Sequence, residues 1–144
     1  MKRISSFLIV VALIAAMVGC ESVDDPVVIL PDANLEGAIR EALNKPAGDI
    51  HASELAGLAS LSASSRRIED LSGLQYCTQL TNLDLYGNWI SDISPLADLA
   101  NLITLYLGAN RISDIPPLAN LTNLATLYLG SNQISDVSPL ASLT

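Results

Sequence analysis

Residues 80–101 read LTNLDLYGNWISDISPLADLAN, and residues 102–123 read LITLYLGANRISDIPPLANLTN. Residues 124–144 repeat the pattern once more without its last position, and a looser copy begins at Leu58. The same residue types recur 22 positions apart in columns of leucine, asparagine, isoleucine, aspartate and proline. Such a fixed period predicts stacked structural units over 58–79, 80–101, 102–123 and 124–144, each of which buries its apolar side chains against its neighbours.

The spacing within one unit predicts a short strand. Leu83 and Leu85 are two residues apart, so they point to one face of a strand and into the core. Asn82, Asp84 and Tyr86 then point outward. Stacked units place these strands side by side in a parallel sheet, and the outward side of that sheet is called the concave face below.

Two further columns predict the path that leaves and returns to the sheet. The asparagines at 88, 110 and 132 fall where the chain turns away, and a buried amide there satisfies backbone groups that lose ladder partners. The prolines at 95, 117 and 139 cannot donate to a ladder, which restricts them to the opposite, convex side. We expect 3₁₀ or irregular turns there.

Residues 31–57 predict a helical N-terminal cap. Apolar residues at 35, 38, 39, 42 and 43 have helical spacing, Asp32 suits the N-cap, and Glu36 is placed to pair with Arg40. A helix of this kind covers the open end of the first unit with a polar outer face.

The cap sequence PDANLEGAIREAL (31–43) followed by repeats such as NQISDVSPLASL (132–143) resembles the internalin-type leucine-rich-repeat family of bacterial surface proteins. The resemblance covers residues 27–144. It implies an α/β leucine-rich-repeat solenoid that binds protein or glycan ligands on its concave sheet. The first unit departs from the family pattern, because Arg66 replaces the asparagine, Gly73 the proline and Cys77 a leucine, so we expect it to be the least regular.

The N-terminus predicts export. Lys2 and Arg3 precede twelve apolar residues from Phe7 to Val18, a length typical of a signal-peptide core and short for a membrane span. Residues 17–20 resemble the lipobox of bacterial lipoproteins, which implies cleavage after residue 19, a lipid anchor on Cys20 and a cell-envelope location. An ordinary signal peptide is the alternative. Residues 20–30 are expected to form a polar tether.

Composition excludes several functions. A net charge of −8 disfavours binding to nucleic acid by charge neutralisation. One histidine and two cysteines cannot supply a dense metal site or a disulfide framework. His51 has no catalytic partner at suitable spacing, and Cys77 at a core position is expected to be buried and inert. We therefore predict no catalytic residues, no cofactor and no enzymatic activity.

The predicted ligand-binding residues are aromatic or charged side chains on or beside the concave face, because tyrosine, tryptophan and arginine dominate interface hot spots. They are Tyr86, Trp89, Tyr106, Arg111 and Tyr128, with Asp84 as a polar selector. The alternative is that these tyrosines only pack on cross-strand neighbours. The concave positions are Ser60, Ser62, Ser64, Asn82, Asp84, Tyr86, Thr104, Tyr106, Gly108, Thr126, Tyr128 and Gly130.

The aspartates at 92, 114 and 136 form another column. Stacked carboxylates are the ligands of a calcium ladder, but aspartates before Ser-Pro or Pro-Pro also accept hydrogen bonds from local backbone N–H groups. We favour the second interpretation and predict no metal.

Four units offer fewer contact positions than the 20–30 residues per partner of a standard interface, and the last unit is incomplete. We therefore expect the sequence to be part of a longer protein. Two alternatives to a binding module remain: a rigid spacer, and a segment that selects substrate for an enzyme domain beyond Thr144.

Overall fold

Two helices precede four short parallel strands, and a 3₁₀ turn follows each strand. The computed structural model describes residues 24–143. Helix α1 spans Ala33–Leu43 and helix α2 spans Ala52–Ala56. The strands are β1 (Ser60–Ser62), β2 (Asn82–Asp84), β3 (Thr104–Tyr106) and β4 (Thr126–Tyr128), and the turns are Leu74–Tyr76, Ser94–Leu96, Pro116–Leu118 and Ser138–Ser142. This order confirms the predicted solenoid.

The four strands form one parallel sheet in chain order. Their register matches the 22-residue period: Leu61 pairs with Leu83, Leu83 with Leu105, and Leu105 with Leu127. Leu61, Leu83 and Leu105 are buried, while the strand residues on either side of them are exposed or half-buried. The alternation predicted from the leucine spacing is therefore confirmed.

The asparagine column links each repeat to the one before it. Asn88 Oδ1 accepts hydrogen bonds from the backbone N–H groups of Arg66 (3.0 Å) and Ile68 (3.1 Å) in the preceding repeat. Its Nδ2 donates to the carbonyl oxygens of Leu85 in its own repeat and Ala63 in the preceding one, both at 2.9 Å. Asn110 and Asn132 repeat three of these four bonds, accepting from the isoleucine N–H of the preceding repeat and donating to one carbonyl in each of the two repeats. The predicted structural role of this column is confirmed.

On the convex side, proline lies at the first or second position of three of the four 3₁₀ turns. Proline, with its fixed φ and no N–H donor, suits these positions, because an N–H group there would have no partner within the turn. In the first repeat Gly73 stands instead, with φ of 105°, and the Leu30 side chain occupies the space that a Cβ atom would need. Because glycine has no side chain, Leu30 of the N-terminal segment can pack into the core at this position.

Helix α1 caps the first repeat as predicted. Asp32 is its N-cap, Leu35, Ala38 and Ile39 are buried, and Asn44 ends the helix in the left-handed conformation. The predicted pair of Arg40 and Glu36 is present at 2.8 Å.

Arg66 stands where later repeats have the asparagine, because the neighbour of the first repeat is a helix and not another strand. Its guanidinium bonds to both carboxylate oxygens of Glu41 on α1, with Nη1 and Oε1 3.0 Å apart. These bonds hold the pKa of Glu41 below its usual value.

The N-terminal segment differs from the predicted tether. Val28 and Leu30 are buried in the core, the Val28 N–H donates to the Ile50 carbonyl at 2.8 Å, and Val27 pairs with His51 in an antiparallel bridge. The cap therefore extends from about residue 27, ahead of the predicted start at residue 31. The burial of Val28 and Leu30 and the bridge at Val27 attach this segment to the cap, although the residues before it are polar.

The core is a continuous column of leucine and isoleucine side chains that runs from the cap into the third repeat. In the last repeat Leu124, Leu127, Leu129, Ile134 and Leu140 are only partly buried, because the described chain packs against them from one side. Among residues 24–143, no helix is both long enough and apolar enough to span a bilayer.

Candidate functional site

Three tyrosines from successive repeats stand on the concave face. Tyr86, Tyr106 and Tyr128 are 45%, 40% and 47% exposed. Together with Ser64 and Asp84 they line a cavity of about 420 Å³, which we call the tyrosine pocket. The rings of Tyr86 and Tyr128 are 6.2 Å apart between centroids and tilted by 34°. The structure thus brings together four of the six predicted ligand-binding residues.

Beside the tyrosine pocket, two glycines leave room for the Tyr128 ring. Asp84, Tyr106 and Tyr128 pair across the sheet, so two residues further on Tyr86 shares a column with Gly108 and Gly130. The Tyr128 ring lies where a Cβ atom on Gly108 would be, and its hydroxyl is 2.9 Å from the corresponding point on Gly130. Both glycines were among the predicted concave positions, but their role in making room was missed. The motif TLYLG, present in the third and fourth repeats, is the signal.

Asp84 supplies the negative charge of the pocket. Its Oδ1 accepts a hydrogen bond from the backbone N–H of Tyr86 at 3.0 Å, which fixes the orientation of the carboxylate. Within the described residues Oδ2 accepts no hydrogen bond, and the side chain is half-buried. An oxygen atom is therefore available to a ligand between the tyrosine rings.

The other two predicted residues meet at the edge of the concave face, just beyond the asparagine column. The guanidinium carbon of Arg111 is 5.2 Å from the centroid of the Trp89 ring. Arg67 also approaches this ring, at 6.0 Å, and was not predicted. The 22-residue period could have predicted this contact, because Arg67 lies 22 residues before Trp89. The irregular sequence of the first repeat obscured the alignment.

The aspartate column forms turns. Oδ1 of Asp92 accepts from the Ser94 N–H and Oδ1 of Asp136 from the Ser138 N–H, each at 2.8 Å. Hydrogen bonds from the backbone N–H and the hydroxyl of Ser138 hold the pKa of Asp136 below its ordinary value. Asp114 cannot repeat the backbone bond because Pro116 has no N–H, and it accepts instead from the Ser113 hydroxyl. No group of potential metal ligands is present among residues 24–143.

The remaining candidates have structural environments. Cys77 is fully buried, and this burial raises the pKa of its thiol to about 12. His51 precedes α2, with Nδ1 2.9 Å from the Asp25 carbonyl oxygen, and its backbone N–H donates to Glu54. Cys20 and the predicted signal peptide lie outside the described residues.

A family model described as leucine-rich repeats in two copies matches residues 57–98 and 100–142. The chain is 45% identical to an internalin, InlF, from Listeria monocytogenes, with a TM-score of 0.79 over 81% of this chain and 35% of that structure. It is 29% identical to the functional domain of InlJ from the same species, with a TM-score of 0.70 over 79% of this chain and 26% of that one. The InlJ domain is described as including a cysteine ladder.

A structure of Clostridium perfringens ZmpB, described as CBM51-2 in complex with GlcNAc and INT domains, is 34% identical, with a TM-score of 0.56. That match covers 62% of this chain and 19% of the other. No curated protein sequence matches the chain significantly. The chain thus spans about a third of the InlF structure and a smaller share of the other two.

Proposed function

Because the chain belongs to the leucine-rich-repeat family and its repeats are of the internalin type, we propose that it is a non-enzymatic binding module for a protein ligand. Leucine-rich-repeat domains of this type are generally protein-interaction modules. The observation that carries the proposal is the tyrosine pocket, in which three exposed rings stand beside one carboxylate and the Tyr128 ring lies over Gly108 and Gly130.

The chemistry of the pocket favours a basic anchor on the ligand. The faces of Tyr86 and Tyr128 attract a lysine or arginine side chain through cation–π contacts, and Asp84 offers it a carboxylate oxygen. The net charge of −8 attracts a basic ligand over longer distances. Sugar rings also stack on tyrosine, so a glycan ligand is the competing possibility that the experiment must separate.

The size of the pocket limits what it does alone. A standard interface buries about 800 Å² per partner and uses roughly 20–30 residues, whereas five residues line the tyrosine pocket. Stable binding therefore requires contacts across the rest of the concave face. Within such an interface the buried centre carries most of the free energy, which is the position that we assign to the tyrosines.

The test is a selection from a random peptide library displayed on phage, with counter-selection on the variant in which Tyr86, Tyr106 and Tyr128 are alanine. We expect enriched peptides to contain lysine or arginine, and Tyr106→Ala and Tyr128→Ala each to weaken them by more than about fivefold, or about 1 kcal/mol. Tyr76→Ala is the matched control, since Tyr76 is 40% exposed but lies in a convex turn.

Three outcomes would contradict the proposal: enrichment without basic residues, equal binding to the triple variant, or binding on a glycan array without binding to any peptide. Deleting residues 102–123 separates recognition from a spacer role. A spacer tolerates loss of one repeat, whereas the pocket is left with two of its three tyrosines and should bind the selected peptides more weakly.

We place this module at the bacterial cell envelope, held by lipid on Cys20. Internalin-like neighbours are bacterial surface or secreted proteins. Two basic residues, a run of twelve apolar residues and Gly19 before Cys20 support the anchor. Labelling with a palmitate analogue should be lost in Cys20→Ser, and retained label would remove lipidation at this residue.

A further inference from the structure

Two arginines beside the concave face have no acidic partner among residues 24–143. Of 15 acidic and seven basic residues in the sequence, Glu21, Lys2 and Arg3 lie outside residues 24–143, which leaves 14 carboxylates and five cations. Three of these cations form ion pairs: Arg40 with Glu36, Lys45 with Glu54, and Arg66 with Glu41. Of these five described cations, only Arg67 and Arg111 have no described carboxylate within ion-pair distance.

Both of these cations approach the same aromatic ring. The guanidinium carbons of Arg111 and Arg67 lie 5.2 Å and 6.0 Å from the centroid of Trp89, within the range of cation–π attraction. The three residues come from consecutive repeats, 22 positions apart. All three are exposed, Trp89 by 41%. We call this surface, formed by Arg67, Trp89 and Arg111, the arginine rim.

The backbone holds the arginine rim in register. The Trp89 N–H donates to the Ile68 carbonyl of the preceding repeat, and the Arg111 N–H donates to the Ile90 carbonyl, both at 2.9 Å. These bonds belong to the same ladder that stacks the repeats. The backbone of Trp89 and Arg111 is therefore held in place before any ligand arrives, which lowers the entropy cost of binding.

The guanidinium groups retain unused donors. Neither Arg67 nor Arg111 donates a side-chain hydrogen bond to any described residue, although each guanidinium carries five N–H donors. Contact with the face of an indole leaves the in-plane N–H groups accessible, and their fork matches the two oxygens of a carboxylate. Two positive groups at one ring also repel each other, and a bound anion relieves this repulsion.

We propose that the arginine rim binds the carboxylates of an acidic segment in a protein partner. Two adjacent guanidinium groups suit two carboxylates from one acidic segment. The net charge of −8 repels every polyanion at long range, an acidic peptide included, so the attraction is local to the two guanidinium groups. The rim and the tyrosine pocket bind opposite charges at separate places, and the rim is tested below without a ligand for the pocket.

Trp89 is the only tryptophan of the chain, so its fluorescence reports directly on the rim. In the experiment, the full chain in a non-ionic detergent is titrated with a capped hexaglutamate peptide. A parallel titration at equal ionic strength uses a capped hexaglutamine peptide. We expect a saturable fluorescence change with hexaglutamate, weakened by added salt, and none with hexaglutamine. Equal responses to both peptides, or no response to either, would overturn the proposal.

Variants locate the effect. Arg67→Asn removes one charge with a residue that tolerates the φ of 62° at this position, and Arg111→Gln removes the other. The double variant should weaken hexaglutamate binding at least tenfold. Lys45→Gln, which removes a cation of the cap, should leave it unchanged.

Circular dichroism of each variant checks that the fold is retained. Unchanged affinity in a folded double variant would overturn the proposal, as would binding of a sulfated polysaccharide but not of hexaglutamate. If the double variant does not fold, the contrast between the two peptides on the unmodified chain still decides the question.

Discussion

The carboxylate oxygen Oδ2 of Asp32 accepts a hydrogen bond from the backbone N–H of Glu69, at a distance of 2.7 Å and 37 residues later in the chain. The same oxygen accepts from the N–H of Asp70, while Oδ1 caps α1 through the N–H groups of Asn34 and Leu35. One side chain therefore both begins the cap helix and attaches it to the first repeat.

Asp32→Ala should lower the free energy of unfolding by about 2–3 kcal/mol. Loss of the N-cap costs about 1 kcal/mol, and loss of each of the two bonds to the first repeat costs about as much. Chemical unfolding followed by circular dichroism measures the change. Asp49→Ala is the control, since Asp49 is exposed and makes no side-chain hydrogen bond within the described chain. Equal stability of the two variants would contradict the dual role of Asp32.

Acid should loosen the same attachment. Partial burial by itself would raise the pKa of Asp32, but four backbone N–H donors together lower it below its ordinary value of 3.8. The unfolded chain then binds this proton more readily than the folded one, so the stabilisation is present above about pH 4 and is lost as the pH falls. Between about pH 5 and about pH 2, we expect the free energy of unfolding of Asp32→Asn to depend less steeply on pH than that of the unmodified chain. Parallel curves for the variant and the unmodified chain would exclude Asp32 as a contributor.

Asn110→Ala should lower stability by about 2–3 kcal/mol. The side chain is 7% exposed, and its removal leaves the Ile90 N–H and the Leu85 and Leu107 carbonyls without this partner. The matched control is Asn120→Ala, because Asn120 is exposed in the same repeat and makes no side-chain hydrogen bond among residues 24–143. Thermal unfolding of both variants measures the difference. Equal melting temperatures for Asn110→Ala and Asn120→Ala would contradict a stabilising role for the buried side chain.

Two glycine substitutions should have opposite effects. Gly37 lies inside α1 with no atom within 4 Å of an added Cβ, so Gly37→Ala should raise stability by about 0.5–1 kcal/mol. Gly108→Ala would place its Cβ in the Tyr128 ring and 3.1 Å from the Gly130 carbonyl oxygen, so it should lower stability and displace that ring. Denaturant midpoints test both, and a neutral Gly108→Ala would show that the Tyr128 ring is not tightly packed against Gly108.

The thiol of Cys77 should resist modification. Burial raises its pKa to about 12, so almost no thiolate is present at pH 8, and reagents cannot reach the sulfur. In Cys20→Ser, where Cys77 is the remaining cysteine, a thiol-specific dye should react only after denaturant is added. Rapid labelling of the folded variant would place Cys77 outside the core.

Most of the repeat architecture could be predicted because each repeat interacts mainly with its neighbours. A 22-residue period therefore determines the strand register, the asparagine ladder and the proline turns together. Prediction was weaker where the period fails. The burial of Val28 and Leu30 depends on contacts with Ile50 and Gly73, and the first residue of α2, Ala52, donates its N–H to the Pro26 carbonyl. No local pattern indicates these contacts.

The concave face shows the same division. The sequence by itself determined which residues face outward, since strand alternation places Tyr86, Tyr106 and Tyr128 on one side. Only the tertiary structure decided how they meet, because the tilt of Tyr128 over Gly108 and the approach of Arg67 to Trp89 depend on rotamers and on packing between repeats. Periodicity fixes backbone positions, whereas side-chain encounters follow from the space that neighbouring repeats leave open.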